Sequence, residues 1–361
     1  MSRLIEIFLE AASIEALSGK EKPVAGYIKN FLEGYNYSCK TDESFKFSQS
    51  DTGNLICRVG NGGDFIMLSH MDTARSTKQL KPVISGERIT SSGDTVLGVD
   101  NRAGVAILLY VLEKAAKENI PLKDFTVAFT TCEETTLAGS KHLETDSEIK
   151  KAFIFDSSYR PGNFIYAACG SMGYTAVIKG KASHSGLAPE KGINSIAAAA
   201  RIISNIQQGR LDEDTTSNIG KISGGSAVNV VPEETFIEGE VRSFNRQKVE
   251  DEIKSIHNLF ITETKKVNAG LVFDAYWDFE PFTLSETDEA YTGIYAALKK
   301  CGLSPNPVKS LGGSDANSLN ARGISAVNIG IGAQNPHSND EFILLEDLHK
   351  GAEIALQLIT K

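Results

Sequence analysis

Apolar residues come along this chain in two rhythms. Short unbroken runs, NLICRV (54–59), DFIMLS (64–69), FTVAFTT (125–131) and KAFIFD (151–156), are rich in β-formers and predict buried strands. Elsewhere the apolar positions recur every three or four residues. Leu4, Ile5, Phe8, Leu9 and Ala12 predict an amphipathic helix at the N-terminus, and Val105, Leu108, Leu109 and Leu112 predict another over 101–118. Ser18 and Glu21 have capping-box spacing ahead of a third stripe, Val24, Tyr27, Ile28, Phe31 and Leu32. Strands alternating with helices predict an α/β layer fold around a mostly parallel sheet.

From about Gly173 the rhythm changes. An alternating strand over 173–180 leads to an Ala/Ile-rich helix over 193–208, strands near 216–223 and 234–243, a helix over 246–266 and a strand over 271–279. The order β-α-β-β-α-β predicts a compact α+β module with helices on one sheet face. After Pro281 the first pattern resumes: a helix near 286–300, a Gly-rich loop, strand SAVNIG (325–330) and a helix near 344–360. The expected division is therefore one domain of residues 1–172 and 283–361, with a smaller one, 173–282, inserted into it.

A chain of 361 residues has room for two cores. Its formal charge of −9 disfavours nucleic acid or an anionic membrane surface as partner. Five cysteines, odd in number and never spaced CxxC, argue against a disulfide framework or a thiolate metal site and for a reducing cytoplasm. Acidic residues break every apolar run at the N-terminus, unlike a signal peptide, and no run is long enough to span a bilayer.

The chemistry collects where strands run out. His70 and Asp72 follow one predicted strand, Glu133 and Glu134 another, and Asp156 ends a third; Asp100 and His337 lie in GVDNRAG and QNPHSNDE. Parallel sheets bind ligands outside the carboxyl ends of their strands, so separate strands deliver these donors to one edge. Imidazole and carboxylate donors suit zinc, cobalt or manganese, and open positions on such ions support hydrolysis.

In that order, HMDT, GVDN, TTCEE, FDSS and NPHSNDE resemble the motifs of the cocatalytic dizinc exopeptidases, the family of peptidase T, carboxypeptidase G and aminoacylase, with the peptidase T-like branch nearest. The resemblance implies two divalent ions, zinc foremost: His70 and Asp156 on one, Glu134 and His337 on the other, Asp100 bridging, with a cis peptide bond after it. It further implies that Asp72 orients the histidine ligand and that Glu133 is the general base for a water held between the ions. In the inserted module, KASHSG matches the lid histidine, His184, which stabilises the oxyanion in a neighbouring subunit. Asn229, Arg242 and Gly313 match substrate-contacting positions. The implied enzyme is a cytoplasmic homodimer, joined through the inserted lid, that hydrolyses the N-terminal residue from short peptides. An N-acyl-amino-acid amidohydrolase or a carboxypeptidase would use the same metals and base.

Other readings stay beside these. Ser314 and Asp315 serve equally well as a helix cap or as substrate contacts. His142, His257 and His349 sit in predicted helices without ligand spacing, and Cys132 ends a buried strand as a packed thiol. No GxSxG elbow exists for a serine hydrolase. A non-catalytic scaffold would be expected to lack the base or the bridging carboxylate, and both are present.

Overall fold

The structure is a computed structural model describing all 361 residues. The chain divides into two compact units: Met1–Ala167 with Thr283–Ser310 and Ser314–Lys361, and Ala168–Phe282 with Leu311–Gly313.

The first unit is built on a mixed sheet whose centre is parallel. Phe125–Thr130, Phe65–His70, Lys151–Ser157 and Ser325–Gly330 run side by side in that order. Leu55–Val59 joins Phe125–Thr130 antiparallel, and Cys39–Thr41 extends that edge. Phe65–His70 is buried at every position, as an unbroken apolar run in a sheet covered on both faces must be. Helix Val99–Glu118 packs on it so closely that a Cβ on Gly104 would come within 2.1 Å of Phe155 O.

Two local expectations are overturned, and one element was not foreseen. Ser18 and Glu21 form no capping box for helix Lys22–Glu33, which has no side-chain cap. Ser18 Oγ instead donates to Asp72 (2.6 Å), and the buried Glu21 carboxylate accepts the N–H groups of Gly19 (2.8 Å) and Cys132 (2.9 Å). Cys39 and Cys57 are disulfide-bonded, 18 residues apart, because the antiparallel register sets them directly opposite with Cα atoms 4.2 Å apart. A separate three-stranded sheet, Phe342–Leu344 with Arg88–Ser91 and Pro82–Ser85, has no long apolar run to announce it.

The second unit is an antiparallel five-stranded sheet in the order Gly209–Arg210, Thr215–Gly224, Glu234–Ser243, Gly170–Lys179, Gly270–Phe279. Tyr174, Ala176 and Ile178 alternate onto the face covered by helices Ser195–Ile203 and Arg246–Lys266, whose Ala198, Ile202, Val249, Ile253 and Phe260 complete the core. Its first strand starts at Gly170, ahead of the visible alternation, because Gly170, Ser171 and Gly173 carry no apolar signal. No helix of the chain is long and apolar enough to cross a membrane.

Candidate metal centre

His70, Asp72, Asp100, Glu133, Glu134, Asp156 and His337 converge in the first unit. His70 closes its strand, Asp156 lies one residue before the end of the neighbouring one, and Glu133 and Glu134 open a single turn three residues past Thr130. Parallel strands therefore place them at one edge.

Their donor atoms fall into two groups that share Asp100: His70, Asp100 and Asp156, and Asp100, Glu134 and His337. Asp100 Oδ1 is 3.0 Å from His70 Nε2, while its Oδ2 is 3.3 Å from His337 Nε2. His70 Nε2 is also 3.1 Å from Asp156 Oδ1, and His337 Nε2 lies 2.9 Å from Glu134 Oε2. Donors sharing one ion at bond lengths of about 2.0–2.2 Å are spaced in this way.

The chemistry of the cluster calls for cations. His70 Nδ1 faces Asp72, 3.1 Å from its carbonyl and 3.3 Å from Oδ1, so Nδ1–H is the proton that Asp72 fixes. That leaves the Nε2 lone pair pointing at two carboxylate oxygens, which is tolerable only with a proton or a metal between them. Without metal, burial acts to lower the His70 imidazole, but Asp156, Glu133 and Asp100 hold it well above its ordinary value. Burial pushes the Glu133 carboxyl well up, against the pull of His70. Asp100 sits below the usual carboxylate range: burial opposes it, but hydrogen bonds from His337 and His70 prevail. Two divalent ions fit this donor set.

Asp72 does more than orient an imidazole. Its carboxylate accepts the backbone N–H of Glu133 (3.1 Å) and of Glu134 (3.2 Å), so one buried side chain positions His70 and the Glu-Glu turn together. The turn enters through Cys132 in a left-handed conformation (φ 51°). Burial raises the Cys132 thiol to about 12, which leaves it a packed thiol rather than a nucleophile. The Asp100–Asn101 peptide bond is cis. Asn101 is the working cap of the helix that follows: its Oδ1 accepts Gly104 N–H (3.1 Å) and its Nδ2 donates to Phe155 O (2.8 Å).

Comparison with known proteins supplies the lineage. Residues 166–268 match the M20 peptidase dimerisation domain, and residues 81–178 match a model of M42 glutamyl aminopeptidase. An uncharacterised protein of Bacillus subtilis is 30% identical, covering 99% of this chain and 97% of its own. Among solved structures, a tripeptidase from Staphylococcus aureus superposes with a TM-score of 0.92 at 30% identity, and aminopeptidase PepT from Bacillus cereus with 0.87 at 31%; each comparison covers 99% of this chain and 97% of the other. The chain belongs to the M20 peptidase family. Within it, the likeness is to the peptidase T branch.

The remaining candidates of this M20 chain lie in its second unit. His184 is exposed, and its Nδ1 accepts the N–H groups of Gly186 and Leu187 (both 3.2 Å), which leaves the proton on Nε2. Asn229 is also exposed, and its carbonyl holds the next turn of that loop through Ser185 N–H (3.0 Å). Arg242 is already engaged: Nε and Nη2 donate to the two oxygens of Glu240 (3.0 Å each) and Nη1 to Leu311 O (3.2 Å). Gly313 is required by Phe279, whose ring would lie 2.5 Å from a Cβ there.

Ser314 and Asn317 form a capping box on helix Asp315–Ala321, and Asp315 turns inward to accept from Thr130 Oγ1 (2.5 Å). His142 stacks on Phe47 and His257 on Phe273, while His349 Nδ1 lies 2.7 Å from Leu345 O. Two supporting residues carry no sequence signal of that role. Asn328 Nδ2 donates to Asp156 (3.3 Å), and Glu341, the last residue of QNPHSNDE, accepts the backbone N–H groups of Gly98 and Asp100.

Proposed function

We propose that this M20 chain is a metal-dependent aminopeptidase that removes the N-terminal residue from short peptides. The observation that carries the reading is Asp100, whose two oxygens are divided between two donor groups. Likeness to a tripeptidase and to aminopeptidase PepT over nearly the whole chain supports the substrate class.

His70 and Asp156 would hold one ion, Glu134 and His337 the other, and Asp100 both; zinc suits these donors, as do cobalt and manganese. Bound ions of this kind acidify water and polarise a carbonyl. Glu133 belongs to neither group, and its Oε2 stands 4.0 Å from His70 Nε2. A carboxyl raised by burial suits a group that takes a proton from the attacking water and returns it to the leaving amine. Asp72 keeps that carboxyl in place through the Glu133 backbone.

His184, with Nε2–H free to donate, is the proposed oxyanion partner, acting in the neighbouring subunit of a homodimer built through the second unit. The dimerisation-domain match supports that assembly. His184→Ala should lower kcat by roughly 10²–10³-fold, the scale for one oxyanion donor. A change confined to KM would remove it from the transition state. The proposed compartment is the cytoplasm, supported by three free thiols, with the Cys39–Cys57 bond pulling the other way.

A carboxypeptidase would need a free fork for the substrate's terminal carboxylate, and Glu240 already occupies that of Arg242. Metal-loaded protein should therefore cleave a free tripeptide and its C-amidated form, and leave the N-acetylated form intact. Preference for the acetylated peptide would instead establish an acylase or carboxypeptidase.

A further inference from the structure

The loop that carries His337 is closed on itself. Gln334 and Phe342 exchange backbone hydrogen bonds (3.0 and 3.1 Å), and within the loop Asn335 (φ 52°) and His337 (φ 63°) both adopt the left-handed conformation. Neither is glycine, so each costs free energy and holds its shape only if surrounding contacts impose it. Arg75 Nη1 supplies one contact, donating to His337 O (3.2 Å). Another comes from Glu341, the last loop residue, which is 1% exposed.

The Glu341 carboxylate leaves the loop and meets the turn that bears Asp100. Its Oε2 accepts Gly98 N–H (2.7 Å) and its Oε1 accepts Asp100 N–H (3.0 Å). Gly98 is left-handed (φ 75°), and Asp100 and Asn101 are non-helical, so helix bonds do not use these two donors. One side chain thus satisfies two orphan amides and ties two ligand-bearing segments together.

We infer that Glu341 is a positioning residue that fixes Asp100 against His337, and that the Asp100, Glu134 and His337 group depends on it more than the His70, Asp100 and Asp156 group does. The asymmetry follows from what carries each ligand. His70 and Asp156 stand on neighbouring central strands and are held by Asp72 and Asn328. Glu134 stands on a single turn held by Asp72, and His337 stands in a loop whose backbone is placed by Arg75 and the loop's own bonds, so neither is on a central strand. A carboxylate accepts at both oxygens; an amide of the same shape accepts at one and turns its NH₂ on the other donor. Glu341→Gln therefore breaks one tie without removing volume.

The inference rests on the two-ion reading, and the test separates the two. Metal-stripped protein is titrated with cobalt, followed by visible absorption and by equilibrium dialysis. Wild type should take up two equivalents; one equivalent or none in wild type would sink the two-ion reading by itself. In Glu341→Gln the first equivalent should bind within about threefold of wild type and the second roughly 10–100-fold more weakly, the usual effect of losing a ligand's support. Excess cobalt should then restore turnover towards wild type. Two equivalents bound as in wild type would overturn the inference, as would equal weakening of both with a lowered melting temperature of the stripped protein.

Hydrogen exchange on stripped wild type judges the tie without any substitution. The Gly98 and Asp100 amides should be protected before metal is added. Exchange as fast as in an exposed loop would overturn the role of Glu341 even if the variant failed to fold.

Discussion

Replacing Glu133 by glutamine is expected to lower kcat by roughly two to four orders of magnitude while both metal equivalents remain bound. Glutamine keeps the shape of the side chain and the backbone N–H that Asp72 holds, and Glu133 is in neither donor group. What it loses is the ability to take a proton. The fold should not suffer, because the buried carboxyl lies among Asp156, Asp315 and Glu134, and a neutral group there relieves repulsion. Glu134→Gln should behave differently. It removes the anionic partner 2.9 Å from His337 Nε2, so the second metal equivalent should weaken along with activity. Metal analysis beside steady-state kinetics distinguishes the pair. A Glu133→Gln protein that lost an ion and recovered turnover when it was restored would mean that the two roles are exchanged.

The residues of the candidate metal centre were legible because most stand at the ends of strands that announce themselves. Four apolar runs too short for helices predicted the four strands now seen at 55–59, 65–70, 125–130 and 151–157. Once those strands are in place, parallel pairing brings their terminal residues to one edge without further information. The supporting residues were illegible for the opposite reason. Ser18 and Glu21 have the local spacing of a capping box, but their partners, Asp72 and Cys132, are far along the chain. Short-range pattern could not see that a stronger long-range use existed for both. Cys39 and Cys57 meet only through a strand register that no cysteine spacing encodes. Glu341 closes the QNPHSNDE motif four residues past His337, but nothing in that polar run sets it apart from its neighbours; only the folded chain buries it under Asp100. Arg242 shows a different limit of sequence pattern. Its suitability as a carboxylate clamp was legible, but Glu240, two residues away on the same strand face, takes the fork first.

Stripping the metals should take peptide hydrolysis to background and make stability fall as pH rises. In the stripped protein, burial raises Glu133, Glu134 and Asp156 above their ordinary values, Asp315 to about 6 and Glu341 to about 7. The folded state then keeps protons that the unfolded chain has released above pH ~4.5, so these groups destabilise the fold increasingly up to about pH 7. The histidines act in the same direction. Hydrogen bonds donated to Asp100 and Glu134 raise His337 to about 10, and neighbouring carboxylates hold His70 well above its ordinary value. Their contribution is complete below the unfolded value near 6.5 and is lost as pH climbs towards the folded one. Asp72 and Asp100 are depressed and have the opposite sign, but their contribution fades only below about pH 4. Between pH 5.5 and 8.5 every term therefore points one way, and the melting temperature of the stripped protein should fall by about 5 °C or more, the shift that ~2 kcal/mol produces in a domain of this size. Metal reverses the sign, because its ligands bind as carboxylate and neutral imidazole and are increasingly available as pH rises. Loaded protein should hold its melting temperature, or gain, over the same range. Parallel profiles for loaded and stripped protein would mean that the carboxylates around Asp100 do not owe their balance to bound cations, and the two-ion centre would have to be abandoned.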